Sequence, residues 1–148
     1  MTGYSGTPLA IKLGIKEGFR VALVGAPKGF RSELESLPKR VEFVTSVATS
    51  LDLIVFFTKS QSDLLGNFSR LAAKLAPAGM LWISWPKKAS GVLTDLSDGI
   101  VRQIGLDAGL VDTKVCAVND VWSGLKFVIR VKDRPKSPTK KRGADSAS

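Results

Sequence analysis

The chain has 148 residues, enough for one domain with a sizeable buried core, and 44% of them are hydrophobic and 24% charged. It has no His and one Cys, Cys116, which excludes an internal disulfide and a His-containing catalytic triad and argues against a metal site. The formal net charge is +9, of which residues 132–148 carry +4, and this excess favours an anionic ligand or nucleic acid without naming either.

The first half of the chain predicts strands separated by short helices. Thr7-Pro8 is a good helix start, and Gly14 is a good stop. The β-branched run "RVALVG" and the apolar run "LDLIVFF" are typical of buried parallel strands, and "VEFVTSV" alternates like a strand. We therefore predict helical turns at 8–13 and 31–37, and strands at 20–25, 41–47 and 51–57.

The second half predicts two longer helices, one more buried strand and a hairpin. Ser60 with Asp63 resembles a capping box, and apolar spacing extends that helix to about Ala76. Thr94 or Asp95 is the predicted cap of the next helix. We predict a strand at 79–85, an antiparallel hairpin at 111–131 and a disordered basic tail at 132–148, which has no core-forming residues.

Strands that alternate with helices imply parallel βαβ units with right-handed crossovers. The predicted fold is therefore a three-layer, Rossmann-like α/β domain over residues 1–131. Its mostly parallel sheet ends in a C-terminal antiparallel hairpin. With no secretory signal and no apolar stretch near the length of a membrane span, we expect a cytoplasmic protein.

This pattern resembles a trimmed class I S-adenosylmethionine-dependent methyltransferase. "RVALVGAPKGF" is similar to the glycine-rich first motif of that family, "LDLIVFF" to its fourth motif, and "LAPAGMLWISW" to a later strand. The hairpin at 111–131 is similar to its last two strands. The resemblance implies the strand order 2-1-3-4-6-5 and S-adenosylmethionine as cofactor.

A second resemblance spans nearly all of residues 1–131. The segments "GYSGTPLAIKLGI", "WPKKASGVLTDL" and "GLVDTKVCAVNDVWSGLKFV" resemble the short bacterial proteins of domain-of-unknown-function family 3052. This resemblance implies a bacterial, cytoplasmic protein and no established activity.

The glycine-rich motif departs from the methyltransferase pattern in two ways. Only Gly25 and Gly29 remain in "VGAPKGF", and Pro27 has no amide to offer a ligand. The segment after the second strand offers Ser and Thr where that family has an acidic residue for ribose hydroxyls. The loop is therefore either a degenerate cofactor site or a plain tight turn.

Four lysines follow predicted strand ends. Ligands of open α/β sheets bind outside the carboxyl ends of the strands. The sequence therefore predicts one anion-binding rim, and the alternative is ordinary exposed loop lysines. The four are Lys28, Lys59, Lys87 and Lys88.

Further candidates lie around the loop after residue 85. Trp85 is either a stacking surface or a core residue, and Thr94 and Asp95 are either ligand contacts or helix caps. Ser90 and Gly91 are either ligand contacts or part of a flexible loop. The N-terminal segment "GYSGTP" is either a lid over the rim or a frayed end.

From these residues we predict a non-catalytic Rossmann-like module that binds a small anionic ligand or a protein partner. The first alternative is a degenerate methyltransferase that binds S-adenosylmethionine. The second is a nucleic-acid-associated protein that uses the lysine rim and the basic tail. No residue or motif indicates a particular reaction, so the sequence favours a protein that is not an enzyme.

Overall fold

The computed structural model describes residues 7–134 except residues 35 and 46. The predicted basic tail, apart from its first three residues, and positions 3–6 of the predicted lid lie outside the described residues. In chain order the elements are α1 (Leu9–Leu13), β1 (Arg20–Val24), α2 (Phe30–Glu33), β2 (Glu42–Phe43), β3 (Leu51–Phe57), α3 (Gln61–Ala72), β4 (Leu75–Pro86), α4 (Asp98–Asp107), β5 (Leu110–Ala117) and β6 (Trp122–Ile129), with 3₁₀ turns at Lys88–Ser90 and Val131–Asp133.

The six strands form one sheet in the order β2-β1-β3-β4-β6-β5. Strands β1 to β4 run parallel to one another, and β6 pairs antiparallel with both β4 and β5. The predicted Rossmann-like fold, its C-terminal hairpin and its strand order are confirmed.

Helices α3 and α4 pack on one side of the sheet, which we call the helix face. Leu64, Phe68 and Leu71 recur at helical spacing on α3, and all three are buried against strand residues such as Leu81 and Phe127. Gly105 lies where α4 crosses β6, and a Cβ at that position would come 2.0 Å from Cε1 of Phe127. Glycine is therefore needed for this close approach.

The short helices α1 and α2 pack on the opposite side, which we call the open face. Their buried residues, including Leu13 and Phe30, contact β1, β3 and β4. Trp82 of β4 is fully buried there and donates from Nε1 to the carbonyl oxygen of Leu13 at 2.8 Å. Strand β6 contributes buried residues to the helix face, Leu125 and Phe127 among them, but its open-face side chains of Trp122, Lys126 and Val128 are only half-buried.

Several element boundaries differ from the sequence prediction, and the helical turns predicted at 31–37 are Phe30–Glu33. The second strand was predicted over 41–47 but comprises only Glu42–Phe43, because the chain turns away after the Val44 amide bonds the Val21 carbonyl. The helix predicted to reach Ala76 ends at Ala72, and β4 starts already at Leu75.

None of the helices in the described part of the chain combines the length and the apolar character that a membrane span requires.

Candidate functional site

A cleft of about 450 Å³ lies between the carboxyl ends of β1 and β3. Strand β1 lies between β2 and β3, so the chain crosses to one side of β1 to form β2 and to the other side to form β3. Open α/β sheets bind ligands at such a switch point. We call this the β1–β3 cleft; its lining residues are Gly25, Pro27, Phe57, Thr58, Lys59, Ser60, Asp63 and Trp122.

Gly25 permits the close approach of the two strand ends. Its φ is +70°, and a Cβ would lie 2.8 Å from the carbonyl oxygen of Phe57. Packing alone therefore explains this glycine. Gly29 precedes α2 at φ +83° with open space around it, and Lys28 beside it is exposed.

The Asp63 carboxylate is held at the mouth of the cleft. Thr58, which is buried, donates from Oγ1 to Oδ2 of Asp63 at 2.7 Å, and Asn67 donates from Nδ2 to Oδ1 at 3.1 Å. The Asp63 amide donates to Oγ of Ser60 at 3.0 Å, which confirms Ser60 as the cap of α3. A carboxylate in the first helical turn is also stabilised by the helix dipole. Asp63 therefore presents a fixed negative charge to the cleft.

An aromatic wall closes another side of the cleft. The rings of Phe57 and Trp122 meet edge to face, with centroids 5.1 Å apart, and Phe30 packs on Phe57 with centroids 4.7 Å apart. Asn119 orients the loop before β6, since its Oδ1 accepts from the amides of Val121 and Trp122 at 2.9 Å each. Trp122 is half-buried and lines the cleft.

A second cleft, of about 500 Å³, lies beyond the carboxyl end of β4, and we call it the β4 cleft. Trp85 forms part of its wall but is only 4% exposed and belongs to the helix-face core. Ser90 donates from Oγ to the Lys87 carbonyl at 2.7 Å and closes a 3₁₀ turn. The predicted site residues that line the β4 cleft are Trp85, Lys87, Lys88, Gly91 and Thr94.

Thr94 and Asp95 join the two clefts rather than cap α4. Thr94 donates from Oγ1 to the Lys59 carbonyl at 2.6 Å. Oδ1 of Asp95 accepts from the Gln61 amide at 2.8 Å, and the Asp95 carbonyl accepts from Nε2 of Gln61 at 2.9 Å. The prediction that Thr94 or Asp95 caps α4 is therefore wrong, and Ser97 is the cap.

The four predicted rim lysines are distributed over different parts of this edge. Lys59 lines the β1–β3 cleft, Lys87 and Lys88 line the β4 cleft, and Lys28 is exposed on the turn before α2. The boundary between the clefts is the bond from Thr94 to the Lys59 carbonyl. Anion binding by these lysines stays a prediction.

A third concavity lies at the carboxyl ends of β1 and β2. Leu23, Phe43 and Thr45 line it together with Arg31, whose guanidinium carbon is 4.0 Å from the centre of the Phe43 ring. Thr45 supplies the hydroxyl group there, as the sequence predicts. Arg31 supplies a cation that the sequence did not indicate as part of this corner.

Sequence reasoning missed the role of Asp63, Thr58 and Trp122 in the cleft. Asp63 was interpreted only as part of a helix cap, although it also follows a strand end in the way that ligand-binding residues do. Trp122 lies far along the chain from the other cleft residues, so nothing in the local sequence indicates its place there. Within the described residues no group of three or more His, Cys, Asp and Glu side chains could hold a metal ion.

Several solved structures that share this fold are methyltransferases. A TehB-like S-adenosylmethionine-dependent methyltransferase from Corynebacterium glutamicum has a TM-score of 0.55 and 13% identity over 86% of this chain and 90% of its own. A magnesium protoporphyrin IX methyltransferase from Synechocystis, with bound S-adenosylmethionine, has a TM-score of 0.53 and 11% identity over 82% and 74%. An O-methyltransferase from neocarzinostatin biosynthesis has a TM-score of 0.57 and 12% identity over 76% and 49%.

Comparisons at the level of sequence add no family. No family model matches the chain, and the search of curated proteins gives no significant match. The resemblance to class I methyltransferases is thus confirmed for the fold, and the resemblance to family 3052 gains no support.

The comparisons contradict the prediction of a non-catalytic ligand-binding module. The three solved structures described above are methyltransferases, and the one from Synechocystis contains bound S-adenosylmethionine. They favour the alternative, a methyltransferase-like protein that binds S-adenosylmethionine.

Proposed function

We propose that this chain binds S-adenosylmethionine in the β1–β3 cleft and acts as a small methyltransferase. The observation that carries the proposal is the fixed carboxylate of Asp63 at the switch point of a methyltransferase-like sheet. In such an enzyme S-adenosylmethionine supplies an electrophilic methyl group, and the protein binds and orients the reactants.

The residues of the cleft fit the charges of this cofactor. Its amino-acid end carries an ammonium group, for which Asp63 is the matching acceptor, and a carboxylate, for which Lys59 is the matching cation. Its sulfonium is a cation that favours an aromatic surface, and Trp122 and Phe57 line the same cleft. At the nucleoside end the chain offers the Thr45 hydroxyl and no described carboxylate. Ribose is therefore held less firmly than the amino-acid end.

The β4 cleft is where a methyl acceptor would bind. It adjoins the β1–β3 cleft across the bond between Thr94 and the Lys59 carbonyl. Apolar groups of Trp85 and Leu93 lie there beside the amino groups of Lys87 and Lys88. This combination favours a small apolar acceptor that carries a negative charge.

Titration calorimetry of the purified chain with S-adenosylmethionine tests the proposal. Asp63→Asn should weaken binding about tenfold or more, because a hydrogen bond to a charged partner is lost. The matched control is Asp107→Asn, which removes an exposed carboxylate of α4 that does not line the cleft. Circular dichroism should show both variants folded.

A second variant tests the aromatic wall. Trp122→Leu should lower the preference for S-adenosylmethionine over S-adenosylhomocysteine by roughly two- to fivefold, because only the former carries a sulfonium charge. Trp122→Phe should keep most of that preference. Absence of any heat at millimolar cofactor, or equal affinity of wild type and Asp63→Asn, would refute the proposal.

A further inference from the structure

Lysines gather on the open face of the hairpin, beside α1. Lys114 of β5 and Lys126 of β6 are directly opposite in the ladder, so their side chains share one side of the sheet. Trp82 is the partner of Lys126 on β4, which identifies that side as the open face. Lys12 of α1 and Lys16 after it border the same area, and we call these four residues the lysine patch.

The amino groups of Lys16 and Lys114 lie within electrostatic reach of Lys126. The pKa of Lys126 is lowered first by burial and then by Lys114, with Lys16 adding to the effect. Lys12, Lys114 and Lys126 all act on the thiol of Cys116, whose pKa burial raises. Lys12 also donates from Nζ to the Ala117 carbonyl at 2.9 Å, which places α1 against the end of β5.

The surrounding protein leaves much of this charge uncompensated. The carboxylates that form ion pairs within the described residues bind arginines: Arg20 with Glu42, Arg40 with Glu17, and Arg102 with both Asp98 and Asp112. Lys16, Lys114 and Lys126 have no carboxylate partner among them. Like charges directly opposite in a ladder are destabilising, so an anion bound over the patch would stabilise the fold.

We propose that the lysine patch binds the phosphate backbone of a nucleic acid. Its charges come from α1, the turn after it, β5 and β6, and they cover an exposed strand surface rather than the clefts described above. A small anion finds no walls there, whereas a chain of phosphates contacts several lysines at once.

The rest of the surface around the patch agrees with backbone binding. Trp82 is fully buried, so it offers no ring for base stacking, and contact with phosphates gives binding with little sequence preference. A membrane surface would favour exposed apolar side chains between the lysines. Cys116 and Val128 share this face, but both are half-buried, so neither offers a fully exposed apolar side chain to a membrane. The patch is independent of the β1–β3 cleft and does not rest on the proposed activity.

Fluorescence anisotropy with a labelled single-stranded RNA of about 20 nucleotides, read over a series of salt concentrations, tests the proposal on the full chain. Replacement of Lys16, Lys114 and Lys126 by Gln should weaken binding at least tenfold at low salt. It should also lower the slope of log affinity against log salt by about 2, since three phosphate contacts are lost.

The matched control replaces three exposed lysines outside the patch, Lys28, Lys39 and Lys132, by Gln, with the same change in net charge. It should keep most of the affinity of the wild type. Equal losses in the two triple variants would overturn the proposal, because net charge or the basic tail would then account for binding. Absence of RNA binding by the wild type would overturn it as well, and so would binding to vesicles rich in phosphatidylserine without binding to RNA.

Discussion

The two sides of the sheet are covered in different ways. On the helix face, the crossovers that follow β3 and β4 carry helices of 12 and 10 residues. The apolar side chains of these helices cover β1, β3, β4 and β6. On the open face, α1 and α2 have only five and four residues and reach β1, β3 and β4. Strand β6 shows the difference directly: Leu125 and Phe127 are buried on the helix face, and Lys126 is half-buried on the open face. Coverage of a sheet thus follows from the length of the connections that cross it.

The largest effect should come from the helix face. Gly105→Ala should destabilise the fold by about 3 kcal/mol, at the upper end of overpacking costs, because the new Cβ meets the Phe127 ring. In a Phe127→Leu background the added cost should fall by about 1 kcal/mol or more, since the two sites are in contact. Urea denaturation measures both values.

A glycine in the other long helix serves as the control. Gly66 lies on the exposed side of α3, and a Cβ there meets nothing within 4 Å. Gly66→Ala should therefore stabilise the fold by about 0.5–1 kcal/mol. Equal effects of the two alanines would show that contact with Phe127 is not what requires Gly105.

An intermediate effect should come from the part of the open face that is covered. Trp82→Phe should cost about 1–2 kcal/mol, because the buried carbonyl of Leu13 loses its donor. Trp85→Phe, on the helix face, removes a similar volume without a bond to α1 and should cost less. Denaturation midpoints measure both costs. A smaller loss for Trp82→Phe than for Trp85→Phe would mean that the bond to α1 contributes little.

The smallest effects should be those of pH. Stability should depend on alkaline pH through Lys126 on the open face and on acid pH through Asp112 on the helix face. The folded pKa of Lys126 is lowered, so the unfolded chain binds more protons between that value and the ordinary 10.5, and stability should rise with pH in this window. Lys126→Met should remove the rise, with a change of about 0.5 kcal/mol or less in stability at neutral pH.

On the helix face the corresponding group is a carboxylate. The hydrogen bond from Arg102 lowers the pKa of Asp112, so this group contributes stability above its ordinary value of 3.8 and loses it as pH falls through the folded value. Arg102→Met should remove that acid dependence and leave the alkaline one. If Arg102→Met changed the alkaline limb instead, the assignment of the two limbs would be wrong.

The elements that the sequence predicts best are those with neighbours on both sides. Strand β3 was predicted at 51–57 and is Leu51–Phe57, because a strand buried on both faces must be a continuous apolar run. The length of β2 was overestimated, because the alternation of "VEFVTSV" does not show where pairing stops in a strand with a single neighbour. Among the described strands β1 alone pairs with it, over Glu42 and Phe43.

The candidate site was predicted in location but not in composition. Topology places Gly25 and Lys59 at the switch point, and both line the β1–β3 cleft. Trp122 joins them from 63 positions later in the chain than Lys59, and this contact is set by the antiparallel pairing of β6 with β4. Asp95 bonds Gln61 across 34 positions. Local sequence could not show either partner, so helix capping was the simplest interpretation of Asp95.

The attachment of residues 94–95 to the start of α3 also links the stability of the two clefts. The Gln61 amide, at the first residue of α3, has its acceptor in the Asp95 carboxylate, and the Lys59 carbonyl just before the helix has its donor in Thr94. When the loop lifts, both groups lose these partners together. Loop opening therefore costs the hydrogen bonds of two backbone groups at the start of α3, and the closed loop stabilises the turn that carries Asp63. Closure of the loop at the β4 cleft and stability of the helix start at the β1–β3 cleft are thus energetically coupled.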